Sequence, residues 1–142
     1  PGSKLVVGGG PSRKRLEDAY PGATFLGPKQ GEELARLFAS ADVFVFPSRT
    51  DTFGLVLLEA LSSGTPVAAF PVTGPIDVIG DAPVGVLDDD LRAAALRALE
   101  VSRDACREYA LHFSWEASTD QFLQYLPIIP RGGLDKEVAH RP

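Results

Sequence analysis

The chain has 142 residues, of which 44% are hydrophobic and 23% are charged, as is usual for one globular domain with a sizeable core. Its net charge is -5, and Glu17 and Asp18 follow its only basic cluster, Arg13–Arg15, which argues against nucleic-acid binding because phosphate backbones need a basic face. A single cysteine, Cys106, excludes an intramolecular disulfide framework, and no Cys and His spacing predicts a zinc site, so we expect a reducing, cytoplasmic setting.

The chain shows no sign of membrane insertion or secretion. No apolar run approaches the roughly 20 residues of a membrane-spanning helix, and no secretory signal is visible. The chain begins with Pro1 and contains no methionine. We therefore expect it to be a fragment of a longer protein.

Short β-like runs alternate with helical patterns along the chain. The predicted strands are 4–7, 23–26, 43–46, 66–70 and 84–87, and the predicted helices are 11–20, 32–40, 52–63, 76–79, 91–100, 103–112 and 115–126. This alternation implies right-handed βαβ crossovers, and hence an α/β fold with an open, parallel, Rossmann-like sheet and helices on both faces. The continuous apolar run Val43–Phe46 predicts a strand buried on both faces. Residues 127–142 are predicted to be a flexible tail that follows a domain at 1–126.

The segment from Ser48 to Glu59 is the first candidate for a ligand site. In parallel sheets ligands bind at the carboxyl ends of strands, against helix N-termini. Here a strand ends at Phe46 and a helix is predicted to begin near Thr52. The first N–H groups of a helix lack internal partners and suit a diphosphate, and Gly54 lets a ligand approach the backbone. A plain βα loop with Thr and Asp as caps is the alternative.

Glu59 strengthens the case for a site. The surrounding helix is apolar on every face, so we expect it to be buried between the sheet and neighbouring helices. An ionised carboxylate is costly in such surroundings unless it has partners. Glu59 can accept two hydrogen bonds from a diol such as the ribose hydroxyls. The alternatives are an ion pair with a structural Arg or Lys, or a side chain that reaches the surface.

Three weaker candidates lie nearby. Gly8–Gly10 is a poor match to a dinucleotide-binding fingerprint, because Arg13 stands in the place of the third glycine and no acidic residue ends the next strand. Lys29 and Arg49 flank the predicted site, where they either neutralise phosphate or are simply solvated. The Thr73–Pro75 segment follows the next strand and either lines a sugar pocket or forms a plain turn.

Residues 51–67, DTFGLVLLEALSSGTPV, closely resemble the donor-site segment of retaining GT-B glycosyltransferases. That group has a pair of acidic residues eight apart, followed by a small-residue turn and Pro-Val. In this chain the pair is Asp51 and Glu59. Further segments match in order: VGGGP at 7–11, FLG at 25–27, SADVFVFPS at 40–48 and FSWE at 113–116. The resemblance covers residues 4–126, and the ordered series is more specific than any one motif.

The resemblance implies that the chain is the C-terminal, nucleotide-sugar-binding half of a GT-B hexosyltransferase. Glu59 would bind the ribose hydroxyls and Asp51 the hydroxyls of the transferred sugar, and these two are the implied catalytic residues. Asp51 replaces the usual Glu and is one methylene shorter, so we expect altered donor geometry and not loss of binding. The resemblance further implies donor binding by Leu26 and Gly27 at the base edge and by the N–H groups of Thr52, Phe53, Gly54 and Leu55. Ser48, Arg49 and Gly74 complete the predicted donor-binding set because of their places at the ends of the two strands.

The implied reaction moves a sugar from a nucleoside diphosphate to an acceptor hydroxyl, keeps the anomeric configuration and needs no metal or other cofactor. The expected partners are the nucleotide sugar, an acceptor-binding N-terminal domain outside this sequence, and a glycan or lipid-linked acceptor, with no nucleic acid. We expect the whole protein to be cytoplasmic, with peripheral association at the inner face of the membrane as a further option. The chain alone is expected to bind nucleotide weakly and to transfer no sugar.

Two other functions are compatible with the same residues. One is a nucleotide-binding module without transfer activity. The other is a phosphorylase or sugar-phosphate synthase of the same fold. The base, the sugar and the acceptor are not determined by the sequence.

Overall fold

A computed structural model of the chain describes residues 2–127, which contain five strands and seven helices in the predicted order. The strands are β1 (Lys4–Val7), β2 (Ala23–Gly27), β3 (Phe44–Phe46), β4 (Val67–Ala69) and β5 (Gly85–Leu87). The helices are α1 (Arg13–Ala19), α2 (Gly31–Ser40), α3 (Leu55–Ser62), α4 (Thr73–Val78), α5 (Leu91–Ala98), α6 (Arg103–Ala110) and α7 (Trp115–Gln124).

The strands form two parallel sheets. β1 pairs with β2, and β3, β4 and β5 form a three-stranded sheet with β4 in the middle. In the central pair Phe44 lies opposite Val67 and Phe46 opposite Ala69. The predicted parallel α/β class is therefore confirmed, although the strands divide between two hydrogen-bonded sheets and do not form a single one.

The main core surrounds β4, which is fully buried. Side chains alternate across a strand, so Val67 and Ala69 face a core that includes Leu57 and Leu61 of α3, whereas Ala68 packs among small residues of α5. Helices thus cover both faces of this sheet, as expected. The expectation that β3 is buried on both faces is wrong, since Val45 is 40% exposed, and the central position gives full burial to β4 instead.

The turn between α3 and β4 is a Schellman motif centred on Gly64, which has φ +72°. The Gly64 N–H donates to the Leu61 carbonyl at 2.9 Å, and the Thr65 N–H donates to the Ala60 carbonyl at 2.9 Å. The predicted end of the helix at Gly64 is confirmed. The motif also fixes Thr65, whose buried hydroxyl donates to the Phe38 carbonyl of α2 at 2.5 Å.

The chain divides into two compact units, Pro1–Leu111 and His112–Pro142. The second unit contains α7, whose N-cap Ser114 accepts a hydrogen bond from the Ala117 N–H at 3.0 Å. Residues 128–142 of the predicted tail lie outside the described residues, so the tail and the domain boundary at 126 stay predictions. Within residues 2–127, none of the helices is long and apolar enough to span a membrane.

The thiol of Cys106 is buried in the core and donates to the Val84 carbonyl at 3.4 Å. Burial raises the pKa of Cys106 from 9.0 to about 11, because the thiolate is poorly solvated there.

We predict that iodoacetamide at mildly alkaline pH leaves Cys106 of the folded chain unmodified and alkylates it in urea, as measured by mass spectrometry. The free energy of unfolding should also fall as the pH rises from 9.0 towards about 11, since the unfolded thiol ionises first. Equal alkylation rates in both states would contradict this prediction.

Candidate functional site

The candidate site lies where β3 and β4 end. Residues 47–54 connect β3 to α3, and α4 begins shortly after β4. The structure brings these two segments together, because the Gly74 N–H donates to the Asp51 carbonyl at 3.3 Å. A Cβ atom at Gly74 would lie 3.0 Å from the Phe53 carbonyl carbon and 3.2 Å from Oδ1 of Asp51. Close approach of the two segments therefore depends on a glycine at this position.

The side chain of Asp51 turns back onto its own loop. Its Oδ1 accepts a hydrogen bond from the Phe53 N–H at 3.0 Å. The predicted helix start at Thr52 is wrong, because α3 begins at Leu55 after Gly54 adopts a left-handed conformation with φ +79°. The left-handed Gly54 cannot continue a helix from Thr52, so α3 begins about one turn later, and the Asp51 side chain orders the loop before it.

The start of α3 presents backbone donors without acceptors. The Leu57 N–H returns to the Gly54 carbonyl at 2.8 Å, whereas no atom within residues 2–127 accepts from the N–H groups of Thr52, Gly54 or Leu55. Of the four predicted diphosphate donors, the Phe53 N–H is the one that has an acceptor among the described residues, the Asp51 side chain. The donors of Gly54 and Leu55 lie at the N-terminus of α3 and can hold an anion, since they also carry the positive end of the helix dipole, whereas Thr52 lies in the loop just before it.

Glu59 lies on the outer face of α3 and is exposed. The expectation that α3 is buried on every side is wrong, because Leu57, Ala60 and Leu61 form its buried face and Leu55 is 67% exposed. Among the described residues no Arg or Lys forms an ion pair with Glu59, whereas the alternative of a side chain that reaches the surface agrees with this exposure.

A cavity of about 180 Å³ lies between α2 and α3, and Glu59 stands on its border. Its lining residues are Gly31, Leu34, Ala35, Phe38, Glu59, Ser62 and Ser63. The cavity thus combines an apolar wall from α2 with one carboxylate and two hydroxyls from α3 and its C-cap. The α2 residues were not singled out from the sequence, although the helical spacing of Leu34 and Phe38 was the signal that could have identified this wall.

The two cations near the site differ in their partners. Lys29 forms an ion pair with Glu33 at 2.5 Å, so its charge is already compensated. The Arg49 guanidinium instead stacks over the Phe70 ring, 3.7 Å from the centroid, in a cation–π contact at the end of β4. No carboxylate in the described part of the chain pairs with Arg49. Beside it, Ser48 accepts a long 3.4 Å hydrogen bond from the Thr50 N–H.

Leu26 and Gly27 end β2 and lie apart from the cavity lining. Gly27 is buried, has φ +75°, and its carbonyl accepts from the Gly8 N–H at 2.9 Å. A Cβ atom at Gly27 would lie 2.9 Å from a terminal nitrogen of Arg13. The predicted residues thus fall into a loop group with Asp51 and Gly74, a cavity group with Glu59, and this strand end.

Comparison with known proteins identifies the family. The family model described as glycosyl transferases group 1 matches residues 3–104. The chain belongs to this family. The resemblance inferred from the DTFGLVLLEALSSGTPV segment is therefore confirmed.

Individual relatives agree with the family. The chain is 39% identical over 132 residues to a GDP-mannose-dependent alpha-mannosyltransferase of Corynebacterium glutamicum, covering 85% of this chain and 32% of that protein. Among solved structures, sucrose-phosphate synthase from Thermosynechococcus elongatus has a TM-score of 0.69 at 30% identity, covering 84% of this chain and 36% of that one. The pneumococcal O-GlcNAc transferase GtfA, solved with UDP and GlcNAc, shares the fold with a TM-score of 0.69 at 21% identity. The match covers 86% of this chain and 28% of that one.

The first three curated relatives are much longer than this chain. The chain spans 32%, 25% and 38% of their respective lengths. The shared family confirms the prediction that this chain is related to glycosyltransferases, and it confirms the predicted α/β fold. It leaves the individual site residues as predictions.

Gly54 offers a direct test of the geometry at the start of α3. A Cβ atom there would lie 2.8 Å from Cδ1 of Leu57, at a φ of +79° that disfavours any L side chain. We predict that Gly54→Ala lowers the free energy of unfolding by about 1–3 kcal/mol, measured by urea denaturation. Gly22→Ala is the matched control, because no atom lies within 4 Å of its Cβ position and its φ is not positive. Equal effects of the two substitutions would contradict the assigned strain.

Proposed function

We propose that this chain is the donor-binding part of a retaining glycosyltransferase that moves a hexose from a nucleoside-diphosphate sugar to an acceptor hydroxyl. Its membership of the glycosyl transferases group 1 family supports the reaction class. The observation that carries the proposal is the junction at the ends of β3 and β4, where the Asp51 carboxylate, the open N–H groups before α3 and Gly74 come together. Together they offer a carboxylate for sugar hydroxyls beside donors for a diphosphate.

The diphosphate is assigned to the start of α3. The N–H groups of Thr52, Gly54 and Leu55 supply donors without acceptors, and Arg49 supplies positive charge from its place over Phe70. Negative charge grows on the diphosphate as the sugar departs. Donors that are already oriented towards that charge lower the barrier without reorganisation. We assign this role to the chain's own groups, without a metal ion or a protein nucleophile.

Asp51 is assigned to the hydroxyls of the transferred sugar. Its Oδ1 is used by the Phe53 N–H, so Oδ2 is the atom proposed to meet the sugar. Gly74 is buried and lies in close contact with the Asp51–Phe53 loop, so the sugar is assigned to the side of Asp51 that faces away from Gly74. Because Asp is one methylene shorter than Glu, we expect the sugar to lie closer to the loop backbone than it would with Glu.

Glu59 is assigned to the nucleoside. Its exposed carboxylate borders the cavity between α2 and α3, and Leu34 and Phe38 provide an apolar wall. At about 180 Å³ the cavity is smaller than the roughly 300 Å³ at which sites for whole small molecules begin. It therefore suits part of a nucleoside, with the diphosphate and sugar lying outside it. The backbone at Leu26 and Gly27 stays the proposed contact for the base edge.

The acceptor is assigned to another part of a longer protein, because this chain matches only 32%, 25% and 38% of the length of the first three curated relatives. A glycan or lipid-linked acceptor, a cytoplasmic location and peripheral association with a membrane stay predictions. GDP-mannose is the first donor to test, since it is named for the related mannosyltransferases. The 30% identity to sucrose-phosphate synthase supports a second candidate, a sugar-phosphate synthase of the same fold.

Nucleotide binding through Glu59 can be measured by thermal shift in the intact protein that carries this sequence. One of GDP, UDP and ADP, or its sugar conjugate, should raise the melting temperature, because a ligand of the folded state stabilises it. Glu59→Gln should weaken that binding about 10- to 100-fold, since hydrogen bonds to a charged group are lost. Glu100→Gln, at another exposed carboxylate, is the control. Unchanged affinity in Glu59→Gln would reject the assigned role.

Transfer through Asp51 is tested by initial rates with a bound donor. Asp51→Ala should lower kcat/KM about 100-fold or more, because both the sugar contact and the order of the loop at Phe53 are lost. Asp51→Asn keeps an acceptor oxygen for the Phe53 N–H and should retain the melting temperature while losing activity. If Asp51→Ala and Glu59→Ala both leave the intact protein with full transfer activity, these residues take no part in the transfer. That result would favour a nucleotide-binding module without transfer activity. Sugar release that depends on inorganic phosphate would instead identify a phosphorylase.

A further inference from the structure

Helix α6 carries two arginines that reach the C-terminal ends of two other helices. Arg103 donates from its two terminal nitrogens to the carbonyls of Ala39 and Ala41, at 2.7 Å and 2.6 Å, at the end of α2. Arg107 donates to the carbonyl of Ser62, the last residue of α3. Residues four apart lie on the same face of a helix, so one face of α6 joins both ends.

These contacts use groups that a helix end leaves unsatisfied. The last carbonyls of a helix have no internal donor and carry the negative end of the dipole, so a guanidinium is a favourable partner. Charge-assisted hydrogen bonds are stronger than neutral ones. In addition to the two arginines, the buried Thr65 hydroxyl donates a hydrogen bond to the Phe38 carbonyl of α2 at 2.5 Å. The C-terminal ends of α2 and α3 are thereby held against each other.

The same two helix ends border the cavity next to Glu59. Phe38 lines it from α2, and Ser62 and Ser63 line it from the end of α3. Glu59 lies one turn before Ser62, so a shift of the end of α3 moves its carboxylate relative to α2. Neither arginine lines the cavity, so neither is placed to touch a ligand in it.

We propose that Arg103 and Arg107 are positioning residues for the nucleoside end of the donor site. By fixing the ends of α2 and α3 they set the width of the cavity and the distance from Glu59 to its apolar wall. This inference rests on the proposed function, because it assigns the cavity to the nucleoside. The diphosphate end of the site is separate, since it begins at the opposite end of α3.

The inference requires that the arginines act on nucleoside binding through Glu59. One of GDP, UDP and ADP is expected to bind the intact protein that carries this sequence. Arg103→Ala/Arg107→Ala should weaken the binding of that nucleotide about tenfold. Binding of inorganic pyrophosphate should stay unchanged. Arg15→Ala/Arg92→Ala removes the same charge from exposed side chains on α1 and α5 and serves as the matched control. Each affinity is measured by calorimetry well below the melting temperature of the variant.

A double-mutant cycle separates positioning from general loosening. In a Glu59→Gln background the arginine substitutions should weaken nucleotide binding less than about twofold, because the group that they position is already impaired. Arg103→Lys retains the charge but not the two-pronged contact, so it should give an intermediate loss and keeps the test usable if the double variant unfolds. Three results would each overturn the inference: an equal loss of nucleotide affinity in the wild-type and Glu59→Gln backgrounds, an equal loss of pyrophosphate affinity, or no loss of nucleotide affinity.

The outcome for Glu59→Gln alone distinguishes the two proposals. If that substitution leaves nucleotide affinity unchanged, the assignment of the cavity fails, and the inference fails with it. If it weakens nucleotide binding while the arginine substitutions act independently of it, the proposed function stands and only the positioning role is rejected.

Discussion

The complete burial of β4 is the constraint on which the rest of the unit depends. Val67 and Ala69 pack towards α3, and Ala68 packs towards α5, so the strand has a helix pressed against each face. Burying a side chain such as Val67 stabilises the fold by roughly 1.5–3 kcal/mol. Helix α3 begins next to the proposed diphosphate site and carries Glu59. The packing of α3 against β4 therefore determines the positions of the diphosphate site and of Glu59. The carboxyl end of β4 also leads into α4, which brings Gly74 to the loop.

Small residues make these close contacts possible, and each has a specific steric reason. Gly64 closes the Schellman turn, Gly54 supplies the left-handed step before α3, and Gly74 allows the Asp51 loop to lie against α4. On α5, Ala94 and Ala98 let the helix approach the sheet. The donor loop is therefore shaped by backbone geometry as much as by its polar side chains.

The sequence predicted features that depend on neighbours along the chain. The alternation of strands and helices, the end of α3 at Gly64 and the parallel class all follow from local patterns, and the structure bears them out. The sequence predicts too early a start for α3, because it does not reveal that Gly54 adopts a left-handed conformation and that residues 51–53 form a loop ordered by Asp51. The sequence leaves open whether Glu59 reaches the surface, and the exposure of Leu55 contradicts the expected burial of α3 on every side, since an apolar sequence does not tell which faces of a helix meet other elements. The helical spacing of Leu34 and Phe38 is a local signal for the cavity wall on α2, whereas the contacts of the α6 arginines join distant segments and have no local signal.

The α6 arginines also have an electrostatic consequence that stays local. An α-helix behaves as if it carried about half a negative charge at its C-terminus, and the effect of that charge falls off within the last turn. The Arg107 guanidinium compensates this charge at the Ser62 carbonyl, and Arg103 does the same at the end of α2. In an acidic chain, negative potential is thereby reduced where α2 and α3 end, whereas the backbone donors at the start of α3, more than one turn away, keep their own field.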